Sequence, residues 1–239
     1  MKLRQNIKKN TGYLETMSYQ LNEKNSYCDK RKSYWNKRAA IKNKRTAVEY
    51  RQILQKVYQQ IIPKGKKILE IGCSEGDLLA SLAPSKGLGV DFSPAMIEKA
   101  QEKYLHLSFL CQDVHELSKI EDRFDYIVIS DLINELYDVQ TVLEELSNYC
   151  TPDTRIIINF QSHLWSSVIK FGRKLGVSHK QLLQNWFTLS DLDKILYLSG
   201  YEKIKSTTEI VIPYRIPFIS SLFNKYLSHK GTKTQRYVI

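Results

Sequence analysis

Ile68-Leu69-Glu70-Ile71-Gly72-Cys73-Ser74-Glu75-Gly76-Asp77-Leu78-Leu79 decides how this chain is read. An apolar run passes through an acidic residue, turns on two glycines around a small residue, and continues as a helix. This is a buried parallel strand, a thin ligand-binding turn and a helix N-terminus. Gly72 allows a sharp turn because glycine tolerates positive φ. Cys73, Ser74 and Gly76 keep the loop thin, so that a ligand can lie against the backbone. Glu70, at the carboxyl end of the strand, is placed to meet a positive charge. In open α/β sheets ligands bind at this end.

The spacing selects the ligand. A dinucleotide turn reads G-x-G-x-x-G and sets a pyrophosphate on the helix N-terminus. Here the run is Gly72-x-Ser74-x-Gly76 followed by Asp77, and Glu70 and Asp77 would repel an anion. A ligand carrying an ammonium and a sulfonium suits them. The stretch resembles the first motif of class I S-adenosylmethionine-dependent methyltransferases.

The following segments extend that resemblance. Leu88-Gly89-Val90-Asp91 reads as a second strand ending in an acid, 19 residues after Gly72, where a carboxylate reaches ribose hydroxyls. Ser93-Pro94 opens a helix as N-cap and first helical residue. Phe92 and Met96 are expected to face the adenine plane. Leu107 to Asp113 reads as a third strand and loop, with Asp113 accepting from the adenine amino group and Val114 beside it. Phe124 to Ser130 is a fourth, buried strand, and Ser130 closes the cofactor set.

The 239 residues are 42% hydrophobic and carry a net charge of +11, which allows one α/β domain with an appendage. Residues 1–67 hold 18 Lys/Arg against 4 Asp/Glu; the remainder holds 18 against 21. The basic segment admits either a polyanion partner or a solvated helical face. No apolar run reaches the ~20 residues of a spanning helix. The basic start lacks the apolar core of a secretory signal. Cys28, Cys73, Cys111 and Cys150 form no C-x-x-C pair. These features lead us to expect a cytoplasmic protein with reduced thiols, no metal centre and no transmembrane segment, leaving peripheral membrane contact open.

Residues 1–25 read as a polar, mobile arm and Ser26 to Ile62 as helical, with Pro63-Lys64-Gly65 ending that region. Five strand candidates follow, at 67–71, 86–91, 107–111, 124–130 and 154–160, with helices between them. This alternation predicts a doubly wound parallel sheet. A helix is expected over Leu164 to Leu175, and another opens at Thr188 or Ser190 and stops at Gly200. Tyr201 to Val211 reads as a strand, Phe218 to Leu227 as a short helix and Arg236 to Ile239 as a last strand. The last strand runs to the end of the sequence, consistent with a piece of a longer chain. We divide the sequence into a basic arm and capping helix, 1–62, and a cofactor-binding domain, 63–239, with a substrate-side insertion around 161–188. The fold implied is α/β and Rossmann-like, of the class I methyltransferase type: a doubly wound, mostly parallel seven-stranded sheet with an antiparallel C-terminal hairpin.

A finer resemblance comes from Tyr34-Trp35-Asn36-Lys37-Arg38, Asp131-Leu132-Ile133-Asn134-Glu135-Leu136-Tyr137-Asp138-Val139, His163-Leu164-Trp165, Gln184-Asn185-Trp186 and Pro213-Tyr214-Arg215-Ile216-Pro217. These are similar to bacterial class I methyltransferases found alone or fused to glycosyltransferase domains in polysaccharide-biosynthesis proteins. The resemblance implies S-adenosyl-L-methionine as cofactor, a small-molecule or glycan acceptor and a glycosyltransferase partner. Transfer from sulfonium to a nucleophilic oxygen or nitrogen relies on alignment, and a base helps where the acceptor is a hydroxyl. Asp131 and His163 are the candidate bases; a loop-holding carboxylate and a surface histidine are the alternatives. His115 is read as a helix cap. Tyr34 and Arg38, with Trp35, are expected at the methionine end of the cofactor. Asn134, Tyr137, Trp165, Trp186 and Arg215 are expected to line the acceptor side. Two other readings stay open. A nucleic-acid methyltransferase would use the basic arm, although no Asn/Asp-Pro-Pro-Tyr/Phe run follows strand four. A non-catalytic cofactor-binding scaffold is the other.

Overall fold

A computed structural model of the chain describes residues 2–41, 45–117, 120–161, 182, 184–209 and 234–238. Helices α1 (Lys2–Ala39) and α2 (Arg45–Ile61) precede β1 (Lys67–Ile71), α3 (Asp77–Ser81), β2 (Lys86–Asp91), α4 (Pro94–Lys103), β3 (Ser108–Cys111), β4 (Phe124–Ser130), α5 (Val139–Leu146) and β5 (Cys150–Phe160). Helix α6 (Leu189–Leu198) and strands β6 (Lys205–Glu209) and β7 (Thr234–Val238) follow. Strands β1 to β5 pair in parallel in the order β3-β2-β1-β4-β5. Beyond β5, β7 runs antiparallel to both β5 and β6.

Alternation along the central strands fills two cores. Leu69, Ile71, Ile127, Ile129, Ile156 and Ile158 face Val142, Leu143 and Leu146 of α5 and Leu192 and Leu196 of α6. Their neighbours Ile68, Val128 and Ile157 face the other way, against Leu54, Tyr58 and Ile62 of the α2 segment and Leu79 and Leu82 of the α3 segment. Successive strand residues point to opposite faces, so both sides of the sheet are covered, as parallel sheets require.

The helix ends follow their local chemistry. Ser93 caps α4 by accepting from the Met96 N–H, with Pro94 at the first helical position. Thr188 caps α6 in a reciprocal box with Asp191, and the helix gives way to Gly200 at φ 81°. Of the two residues expected to cap this helix, Thr188 is the cap.

Four expectations are corrected. Residues 2–25 are helical, as part of α1, where a mobile arm is expected: α1 has no proline, and Lys, Arg, Gln, Glu, Leu and Met, which lose little rotamer freedom in a helix, recur along it. The helical region from Ser26 is two helices, broken after Ala39. The boundary at residue 62 cuts a packed core, because Leu54, Tyr58 and Ile62 lie beneath the sheet. Strand β6 begins at Lys205 rather than at Tyr201, and residues 210–211 of the expected strand lie outside the described residues. The helices expected at Leu164 to Leu175 and Phe218 to Leu227 lie outside the described residues.

Candidate active site

The turn after β1 is built on left-handed backbone. Gly72, Ser74 and Gly76 take φ 74°, 50° and 77°. A Cβ on Gly72 would stand 3.1 Å from the Leu132 side chain, and one on Gly76 2.7 Å from the Phe109 ring. Gly72 therefore lets the loop after β4 approach. Gly76 serves packing against β3, and among the expected cofactor residues it lies off the cavity. Ser74 holds a conformation that glycine adopts more readily.

A cavity of about 350 Å³ opens at the carboxyl ends of β1, β2 and β4 and is roofed by α1 and α2. It brings together Glu70, Gly72, Cys73, Ser74, Asp91, Phe92, Met96, Asp113, Val114, Ser130, Asp131, Trp35 and Arg38. Asp91 accepts from the backbone N–H groups of Ser74 (3.0 Å) and Ser93 (2.9 Å). Burial lifts its carboxyl above the usual range against these bonds. Glu70 is buried; burial raises it well above the ordinary carboxylate value, against a backbone N–H bond from Leu79, and the charges of Asp91 and Asp77 add to the rise. Among the described residues its Oε2 atom has no hydrogen-bond partner. A buried, unpaired carboxylate oxygen in a cavity wall is a place for a cation. S-adenosylmethionine carries an ammonium beside its sulfonium, so Glu70 fits the amino group and Asp91 the ribose hydroxyls.

Asp113 does more than the sequence suggested. It caps the turn Val114–Glu116 through the His115 N–H (2.9 Å) and pairs with His115 Nδ1 (2.7 Å). Burial alone would raise its carboxyl, but the His115 contacts and the Cys28 thiol hold it down at about 2. The capping residue is thus Asp113, while His115 Nε2 accepts from the Asp138 N–H at 3.4 Å. Cys28, Asp113 and His115 place ligand-type atoms within 4.8 Å of one another. Burial, then the Asp113 carboxylate, push the Cys28 thiol up to about 12. Their geometry is accounted for by hydrogen bonds among themselves and to Asp138.

Asp131 follows β4 in a left-handed conformation, φ 53°. Backbone outliers of this kind concentrate at functional sites. Tyr50 of α2 donates its hydroxyl to both carboxylate oxygens, at 2.9 and 2.8 Å. Asn159 of β5 donates to Oδ1 at 2.6 Å and accepts from Tyr58 at 2.5 Å.

The acceptor-side expectations fare differently. Asn134 is buried and bolts loops together, donating to the carbonyls of Gln161 and Asn185. Tyr137 lies off the cavity and packs edge-on against Tyr27. Trp186 is half-buried and also off the cavity. Tyr34 stacks edge-on with Trp35 rather than lining the wall. His163, Trp165 and Arg215 lie outside the described residues. Sequence reasoning missed Tyr27, Arg31, Tyr50, Arg51 and Glu135, all in the wall. Tyr27 and Arg31 stand one turn apart on α1, Tyr50 and Arg51 lie on α2, and Glu135 follows β4, so the residues that meet here are far apart in sequence.

Lys24, Arg31 and Arg51 of the basic segment pair with Glu116, Glu135 and Asp77 of the body. Part of the charge asymmetry is therefore internal complementarity. Among the described residues no helix is long and apolar enough to cross a membrane.

A parallel sheet with this turn, these strand-end acids and this cavity has the Rossmann-like fold of S-adenosylmethionine-dependent methyltransferases. The chain belongs to the family described as methyltransferase domain, whose model matches residues 62–197. It is 30% identical over 126 residues to the ubiquinone biosynthesis O-methyltransferase of Coxiella burnetii (strain Dugway 5J108-111), covering 48% of this chain and 54% of that protein. It is 26% identical over 168 residues to the demethylmenaquinone methyltransferase of Staphylococcus haemolyticus, covering 59% and 70%. The chain thus spans about half the length of the first of these curated relatives. Among solved structures it resembles magnesium protoporphyrin IX methyltransferase from Synechocystis PCC 6803 with bound S-adenosylmethionine. The TM-score is 0.55 at 15% identity, covering 83% of this chain and 84% of that one. It also resembles a chain of the complex between the Haloferax volcanii Trm112 methyltransferase activator and a methyltransferase. There the TM-score is 0.60 at 14% identity, covering 83% and 98%.

Proposed function

We propose that the protein O-methylates a small hydroxylated acceptor, a sugar unit or a hydroxylated ring, with Asp131 as general base. The observation that carries this reading is the Asp131 carboxylate, which shares one cavity with Glu70 and Asp91 and already accepts hydrogen bonds from a hydroxyl. Glu70 and Asp91 would orient the cofactor, which supplies an electrophilic methyl on a good leaving group. Trp35 and Leu136 would cover the reacting end and exclude water. Asp131 would accept the hydroxyl proton within the 2.6–3.2 Å reach of a general base. The aromatic and aliphatic lining suits a ring face, and the relatives named for quinone biosynthesis favour a hydroxylated ring. The motifs shared with polysaccharide-biosynthesis methyltransferases favour a sugar and a glycosyltransferase partner. We also read β6 and β7 as the closing antiparallel hairpin that completes the seven-stranded class I sheet.

The test is methyl transfer from labelled S-adenosylmethionine to catechols, sugar nucleotides, lipid-linked glycans and total RNA. Labelling of a hydroxyl compound that is lost in Asp131→Asn, with cofactor affinity kept, supports the reading. Labelling confined to RNA and falling steeply with salt overturns it.

A further inference from the structure

The Asp131 carboxylate has two unlike sides. Behind it, Asn159 is wholly buried and locked by Tyr58, itself wholly buried. Asn159 donates to Oδ1, and its carbonyl accepts the Asp131 N–H at 3.2 Å. All of this rests on strand β5 and the packed part of α2. In front, the Tyr50 phenol is centred on both oxygens at 2.8 and 2.9 Å. Tyr50 is half-buried and lines the cavity with Asp131. It packs against the edge of the core beneath the sheet, one turn before Leu54, which is buried in that core.

We propose that Tyr50 is a specificity-determining residue whose phenol holds, on Asp131, the seat that the acceptor's hydroxyl takes during methyl transfer. This rests on the reading of Asp131 as general base. A base must receive a hydrogen bond from the hydroxyl it deprotonates, at 2.6–3.2 Å. The Tyr50 hydroxyl meets that condition from inside the protein. An acceptor binds by exchange: its O–H replaces the Tyr50 O–H on the carboxylate, and Tyr50 turns away. With the seat filled, the half-buried carboxylate keeps a hydrogen-bond donor on its cavity side when no acceptor is present. The intrinsic affinity for an acceptor is lowered by the cost of breaking the internal contact, and only a hydroxyl able to outcompete a phenol enters.

The experiment uses 4-nitrophenol, whose absorbance reports ionisation, titrated into protein saturated with S-adenosylhomocysteine. Tyr50→Phe is expected to bind it roughly tenfold more tightly than wild type, with S-adenosylhomocysteine affinity unchanged; a hydrogen bond to a charged group that no longer has to be broken is worth about that much. Binding to Tyr50→Phe that is equal to wild type, weaker or undetectable overturns the exchange. A double variant Tyr50→Phe/Asp131→Asn should lose the gain. If it keeps the gain, Asp131 is not the hydroxyl's partner, and the general-base reading fails instead. As a measurement on unaltered protein, the ζ-carbon resonance of labelled Tyr50 should shift when 4-nitrophenol saturates the site. A resonance that stays in place under saturation overturns the proposal even if Tyr50→Phe does not fold.

Discussion

Arg31 on α1 meets Glu135 beyond β4 with Nε 3.2 Å from Oε2, both side chains almost wholly removed from solvent. The guanidinium also lies 3.5 Å from the centre of the Tyr27 ring, and Gln184 donates to the other Glu135 oxygen at 2.8 Å. The desolvation cost of such a pair is offset only where further contacts are good. Here a π face and an amide supply them, and the pair fastens the middle of α1 over the cavity.

Removing one partner leaves a buried charge unpaired. Glu135→Ala is expected to cost about 3 kcal/mol and to release α1, seen as faster hydrogen exchange of its amides around residue 31. The double variant Arg31→Met/Glu135→Leu should recover most of the lost stability in thermal unfolding. Equal damage in the single and double variants would show that the ion pair is not the fastening.

Asp91 holds two backbone N–H groups of neighbouring loops while facing the cavity. Asp91→Ala should weaken S-adenosylhomocysteine binding by about 1.5–3 kcal/mol, the range for hydrogen bonds to a charged group. Asp91→Asn, which keeps an acceptor oxygen, should lose less. Isothermal titration of the three proteins checks the order; wild-type affinity in Asp91→Ala would remove Asp91 from the cofactor site.

If Glu70 meets the cofactor's ammonium, cofactor binding is expected to release a proton. Burial raises its folded value above the ordinary 4.5, so the folded chain holds a proton that the unfolded chain has lost. Ionising Glu70 therefore weakens the free protein as pH rises from 4.5 through the raised value. An ammonium beside Oε2 pulls that value down, so affinity rises with pH in the same window. Calorimetry in two buffers of different ionisation heat should show proton release in wild type and none in Glu70→Gln.

Asp113 has the opposite sign. Its folded value of about 2 lies below the ordinary 3.8, so its contribution is present above pH 3.8 and lost as pH falls to 2. Asp113→Asn should lower stability at neutral pH by about 1–2 kcal/mol after solvent screening. Acid titration of both proteins should bring their stabilities together near pH 2. A gap that persists there would mean that the carboxylate charge is not what stabilises the turn.

The segment from Ile68 to Leu79 could be read because its strand, turn and helix are adjacent in sequence and each has its own period or breaker. The strand-end acids could be read for the same reason: each ends a run of apolar residues. What could not be read depends on distance. Nothing near Asp131 in sequence announces Tyr50, 81 residues earlier, or Asn159, 28 later. Asn134 looked like an acceptor contact because an amide suits hydroxyls, yet an amide suits buried carbonyls equally, and two of them take it. The first part of α1 hid its helix because its apolar residues, Leu3, Ile7, Leu14, Met17 and Leu21, fall at helical spacing but are sparse among polar ones. Further along, the helix docks through ion pairs and hydrogen bonds, which leave no periodic trace.

Helix α1 touches the loops after three strands: Asn36 bonds Ser93 after β2, Cys28 meets Asp113 after β3, and Arg31 pairs with Glu135 after β4. Cys28 and Asn36 stand eight residues apart along the helix, roughly 12 Å, so this stretch joins the donor side of the cavity to the acceptor side. If α1 settles more firmly when one ligand is bound, the other finds its wall already ordered. The coupling free energy must then be reciprocal: the factor by which the cofactor tightens the acceptor equals the factor by which the acceptor tightens the cofactor. Fastening and ligand cooperativity become one property of a single helix, so a change that loosens α1 uncouples the two sites without touching either ligand.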